Sequence, residues 1–108
     1  MLVDTVNAFV PGPEVRVQGR ASGPLSGLHF AAKDLFDVAG HPTGGGNHDW
    51  RRSRPDVAER HAWAVQTLLD AGATLVGKTV TDEVSLGILG ESAFDGTPVN
   101  TRAPDRVP

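Results

Sequence analysis

From residue 28 to residue 33 the chain alternates: Leu28, Phe30 and Ala32 are apolar in step, and His29, Ala31 and Lys33 fall between them. That period predicts a half-buried strand over residues 27–32, with Lys33 at its end and Asp34 directly after. Residues 35–38 read as a second short strand, and the alternating residues 15–18 as a small edge strand. Further on the period changes. Ala58, His61, Ala62, Val65, Leu68 and Leu69 recur at helical spacing and make one apolar face. Ser53 as N-cap, Pro55 in the first turn and Asp56 three residues after the serine predict a helix over 55–71. Asp56 and Arg60 stand as an i,i+4 pair in the favourable order, and Gly72 supplies the stop. Thr74, Leu75 and Val76 then read as a strand. Helix, glycine, strand is the return half of a β-α-β unit, and the lysine strand is its candidate first half. The expected architecture is α/β, with residues 27–32 and 74–78 as near neighbours in one sheet. The helix should pack on that sheet through Ala58, Ala62, Val65 and Leu69. Thr81 is a candidate N-cap for a short helix over 82–89. Residues 11–13, 22–27, 40–50 and 90–108 read as loops, and no internal repeat occurs.

Composition narrows the picture. With 108 residues the chain is one domain at most. A formal net charge of −3 gives no electrostatic reason to expect nucleic acid or an anionic membrane as partner. No apolar run is long enough to span a bilayer. Residues 1–10 carry Asp4 and no basic stretch, unlike a secretory leader, and the expected location is cytoplasmic. The absence of cysteine excludes disulfides and thiolate metal sites.

Several patterns carry candidate chemistry. Gly72-Ala73-Thr74-Leu75-Val76-Gly77-Lys78-Thr79 fits the phosphate-loop pattern letter for letter. That chemistry needs a strand before the first glycine and a helix opening at the lysine. Here a helix precedes and strand formers fill the interval, so a buried strand is the better reading and a nucleotide site the poorer alternative. Thr43-Gly44-Gly45-Gly46-Asn47 could present amides to an anion, but reads better as a tight loop. His29, His41, His48 and His61 share no metal-ligand spacing, so no metal is expected, and His61 reads as a packing residue. Lys33, at the end of an apolar strand, is either a solvated charge or a lysine kept for chemistry.

Three blocks bear on that choice: Gly27-Leu28-x-Phe30-x-x-Lys33-Asp34-Leu35-Phe36-Asp37-Val38-x-Gly40, then residues 71–83 with "GKTVTDE", then Gly96-Thr97-Pro98-Val99-Asn100. In this order they resemble the amidase signature family, over residues 27–108, with residues 1–26 as a lead segment. "FAAKDLFDVAG", "GKTVTDE" and the closing "APDRVP" look most like the branch containing the indole-3-acetamide hydrolases. The resemblance implies the N-terminal part of an α/β fold with a mixed sheet covered by helices. It implies a Ser-(cis-Ser)-Lys triad that hydrolyses a small carboxamide to acid and ammonia without a cofactor. The family's lysine maps onto Lys33. A neutral amine there would take the nucleophile's proton through the bridging serine, which requires burial to lower the amine's pKa. Strand alternation sends Asp34 to the opposite face, in a structural role. The segment after "GKT" implies Leu86, Gly87 and Ile88 as acyl-pocket residues.

The family's two serines and its oxyanion donors come after the block matching "APDRVP", and Asn100-Thr101 stands where the family has Asn-Pro. Of the triad this chain carries Lys33 alone. The expectation is therefore an amidase stretch that supplies the lysine, is inactive by itself, and works with the remainder of an amidase chain. Its uncovered edges also predict self-association. The alternatives are a non-catalytic interaction module derived from an amidase, and the nucleotide-binding domain of residues 72–79.

Overall fold

The structure, a computed structural model, describes residues 3–54, 56–87 and 89–108. Its centre is a parallel pair of strands, β1 (His29–Lys33) and β2 (Thr74–Thr79), joined by a crossover that includes α1 (His48–Ser53) and α2 (Trp63–Asp70). The β-α-β unit expected from the period changes is therefore present, with its two strands adjacent. Val65 and Leu69 of α2 are buried with Ala32, Val38 and Leu75, and Val15, Val17, Phe30 and Ala62 pack around them. Leu75 is fully buried.

The strand register contains one irregularity. Phe30 is opposite Leu75 and Ala31 is opposite Gly77, so Val76 is an extra residue in β2. Beyond it Ala32 is opposite Lys78 and Lys33 is opposite Thr79. The N-terminal segment runs antiparallel along the other edge of β2 through single bridges, Phe9 to Thr79 and Val17 to Leu75. The Val17 and Leu75 backbones exchange both hydrogen bonds, at 3.0 and 2.9 Å. Gly77 lets this segment approach, because a Cβ there would run into the Phe9 ring. Residues 15–18 thus make one bridge and not a strand of their own.

Four other expectations change. The helix over 55–71 begins only at Trp63. The backbone upstream is taken up elsewhere: Ala58 N–H donates to His41 O at 3.1 Å, Gly40 N–H to Ala58 O at 2.9 Å and Ala62 N–H to Asp37 O at 2.9 Å. Groups paired across to residues 37–41 cannot pair along a helix. Ala58 and His61 therefore precede α2, Ala62 caps it, and no helix joins Asp56 to Arg60. Pro55 lies outside the described residues. Ser53 is the last residue of α1, a helix within the expected helix-free run 40–50 and just past it. Asn47 starts α1, its side-chain oxygen accepting from the N–H groups of Asp49 and Trp50 at 2.8 and 3.0 Å. Residues 35–38 form a turn and bend and not a strand, since Leu35 and Phe36 N–H fold back onto Lys33 O at 2.7 and 2.9 Å. The helix over 82–89 is a single 3-10 turn, Glu83–Ser85, interrupted by Val84 at φ 47°. A β-branched residue in that region is strained and cannot propagate a helix.

Candidate functional site

The site forms where β1 and β2 end together. In β1 the burial alternates, with Ala32 buried between exposed Ala31 and Lys33. Asp34 continues the inner side and is 3% exposed. Lys33 is thus on the outer face, and the carboxylate next to it in sequence is on the inner one, as alternation requires. For Lys33 this means accessibility: burial of the amine, which the resemblance implies, is not provided by these residues.

Lys78 does the reverse. It is 4% exposed, and its ammonium pairs with Asp34 Oδ1 at 2.9 Å and donates to Phe36 O at 2.7 Å. The second carboxylate oxygen of Asp34 accepts from Gly44 N–H at 3.2 Å. Asp34 N–H donates to Thr79 O, and Asp34 O accepts from Gly45 N–H, both at 2.9 Å. The glycine run is therefore a loop folded around one carboxylate and not an open cradle of amides. Charged groups buried this way hold only because each is paired and hydrogen-bonded. A cavity of about 600 Å³ adjoins the pair, with Asp4, Glu14, His41 and Arg51 on its walls.

The glycine loop also meets the chain's last third. Asn47 Nδ2 donates to Glu83 Oε1, and Val84 N–H donates to Gly45 O. His48 Nε2 lies 2.9 Å from the buried carboxylate of Asp95, with its ring 5.0 Å from that of Phe94. Ser92 Oγ donates to Gly46 O at 3.2 Å and accepts from Asp95 N–H at 3.0 Å. His61 Nδ1 accepts from Ala39 N–H at 3.1 Å, a packing role reached from a loop. Among the described residues, no group of three or more His, Asp or Glu side chains is arranged to hold a metal.

Of the other sequence-predicted positions, Leu86 is 88% exposed and Gly87 is exposed, just after the 3-10 turn. Neither borders the cavity beside Lys78. Ile88 lies outside the described residues. The phosphate-loop pattern of residues 72–79 forms a turn followed by β2, with its lysine committed to Asp34. The buried Lys78–Asp34 pair is what sequence reasoning missed. Its one signal was the inward parity of Asp34.

The Amidase family matches residues 13–108. The chain belongs to this family. It is similar to Amidase 1 of Arabidopsis thaliana, with 47% identity over 103 residues, 94% of this chain and 24% of the relative. It is also similar to the translocon at the outer membrane of chloroplasts 64 of Pisum sativum, 45% identical over 89 residues, covering 82% of this chain and 15% of the relative. Its fold resembles that of a glutamyl-tRNA(Gln) amidotransferase chain from Thermotoga maritima, with a TM-score of 0.74 and 25% identity over 94% of this chain and 22% of that one. The chain thus spans about a quarter or less of the length of these relatives, and its β-α-β unit is a portion of the amidase fold. No helix among the described residues is long and apolar enough to cross a membrane.

Proposed function

We propose that this chain supplies the base of an amidase, and that the base is Lys33. The observation that carries the reading is the contrast between the two lysines. Lys78 is locked inside against Asp34, whereas Lys33 stands on the accessible outer face at the end of β1. Lys33, on the exposed face, is the lysine we place against groups brought by further amidase segments. In the proposed reaction the neutral Lys33 amine takes a proton, through a bridging serine, from a nucleophilic serine on those segments. The serine oxygen bonds to the amide carbon, the C–N bond breaks, and ammonia leaves with a proton. Water then releases the acid from the acyl-serine. Lowering the lysine pKa requires that the added segments bury Lys33. The indole-3-acetamide hydrolase-like sequence blocks suggest a small aryl or alkyl carboxamide as substrate, with Leu86, Gly87 and Ile88 toward its acyl group.

The test joins the chain to the family's serine-bearing segments and follows ammonia release from an aryl acetamide. The 108-residue chain alone should release none, because it holds a base without nucleophile or oxyanion donors. In the joined enzyme, Lys33→Ala should lower the rate on the order of several thousand-fold, since members of a catalytic relay fail together. Activity should rise with pH as the base loses its proton. If Lys33→Ala leaves turnover largely intact while Lys78→Ala abolishes it in folded enzyme, the wrong lysine has been chosen.

A second reading, a docking module derived from an amidase, is favoured by the similarity to a protein named as a translocon. Exposed Leu28, Leu35, Trp63 and Leu86 would suit contact with another chain or a second copy. A joined, folded chain that releases no ammonia from aryl or alkyl amides would favour this reading.

A further inference from the structure

The buried Lys78–Asp34 pair takes no part in the proton transfer proposed for Lys33, yet it sits one residue away from it. Lys33 and Asp34 are consecutive, with Cα atoms about 3.8 Å apart, so the Asp34 carboxylate is an anion on the other face of the same strand end. A lone carboxylate so placed would favour the charged form of Lys33 and oppose its use as a base. The structure gives that carboxylate another cation. Lys78, opposite Ala32 in the sheet, reaches Asp34 Oδ1 at 2.9 Å on the inner face. Gly44 N–H and Phe36 O complete the pair at 3.2 and 2.7 Å. What Lys33 then faces through the strand is a neutral pair, whose field falls off faster than that of a single charge.

We propose that Lys78 and Asp34 are positioning residues for Lys33: the pair cancels the carboxylate beside the base and pins the bend in which β1 ends. The proposal rests on the reading of Lys33 as the base. Other charged groups near the two lysines are common to all the variants below and cancel in the comparison. They include His29 on the outer face of β1, Glu83 of the 3-10 turn tied to Asn47, and Asp4, Glu14, His41 and Arg51 around the cavity.

The chain has two lysines, at positions 33 and 78, so a sample labelled with 13C at lysine Cε gives two signals. The experiment titrates the Lys33 signal in the 108-residue chain, in Lys78→Gln, in Asp34→Asn and in the double variant. Lys78→Gln leaves the carboxylate unbalanced and should move the Lys33 midpoint up by about half a pH unit or more. Asp34→Asn leaves the Lys78 cation unbalanced and should move it down. The double variant, neutral at both positions, should return it to the native value. A purely structural role predicts no such opposition of sign and no return. Single variants that shift Lys33 the same way, a double variant that stays displaced, or a midpoint that never moves would overturn the proposal. If one single variant loses the native circular dichroism, the other is compared with the double variant. If neither single variant folds, the pair serves the fold alone and the proposal falls. The titration reads charge on Lys33 without turnover, so failure of amide hydrolysis and failure of this proposal are seen separately.

Discussion

The two lysines stand near the ends of neighbouring strands and have opposite surroundings. Lys33 stands outside, on a face whose neighbours Ala31 and His29 are also exposed. Lys78 stands inside, 4% exposed, paired through Asp34 to the glycine loop. Identical side chains at matching strand ends thus do different work. One is buried in an ion pair and the other stands on the exposed face. The inner face of the strand pair carries the packing, and the outer face is the one on which we place the base.

That contrast can be broken most forcefully at Lys78. Lys78→Ala strands a carboxylate in the interior, and removing one partner of a buried pair costs about 3–5 kcal/mol. Urea denaturation should show the midpoint falling by most of its value, and an unchanged midpoint would dissolve the distinction. Next comes the inner apolar face: Leu75→Ala should cost about 2–5 kcal/mol, as buried leucine truncations do. On the exposed side, Leu28→Ala should remain within about 0.5 kcal/mol of the parent in the same assay. Lys33→Ala, on the same exposed face, should cost about 1 kcal/mol or less in stability, whatever it does to turnover. A large loss there would mean that the outer lysine is structural too.

The smallest effect comes from Asp4. Burial raises its carboxyl, but the amides of Phe9, Ala8, Val6 and Asn7 outweigh that and hold it below its ordinary 3.8. The folded pKa is the lower one, so the contribution is present above that ordinary value and lost as pH falls through the folded one. Asp4 is largely exposed, so the contribution is modest. Melting curves between about pH 5 and pH 2 should show Asp4→Asn with a shallower acid loss than the parent. Equal slopes would show that those hydrogen bonds do not survive in water.

The sheet was legible in the sequence because its period was simple. Alternation at residues 28–33 and the apolar positions Val65 and Leu69 ahead of Gly72 each had one way to be buried. The start of α2 was not legible, because Ala58 and Ala62 fit a helical period while their backbones pair with residues 37–41. Local spacing cannot announce a long-range partner. Helix α1 had its signals in Asn47, Asp49, Arg51 and Arg52, hidden by the glycines before them. At the candidate site, the opposite facing of Lys33 and Asp34 followed from strand parity. Lys78 as the partner of Asp34 did not, since strand parity alone would not have given it that side.

Val76 decides that side. Were Val76 paired in regular register opposite Ala31, Ala32 would stand opposite Gly77 and Lys33 opposite Lys78. Strand neighbours share a face, so the two ammonium groups would crowd together on the outside and Asp34 would be left buried without its cation. The bulge advances the second strand by a single step, and with that step a repulsion between like charges becomes a division of labour. Deleting Val76 would keep Ala32 opposite Lys78; drawing it into the ladder opposite Ala31 would instead carry the Lys78 cation from the inside of this molecule to the outside.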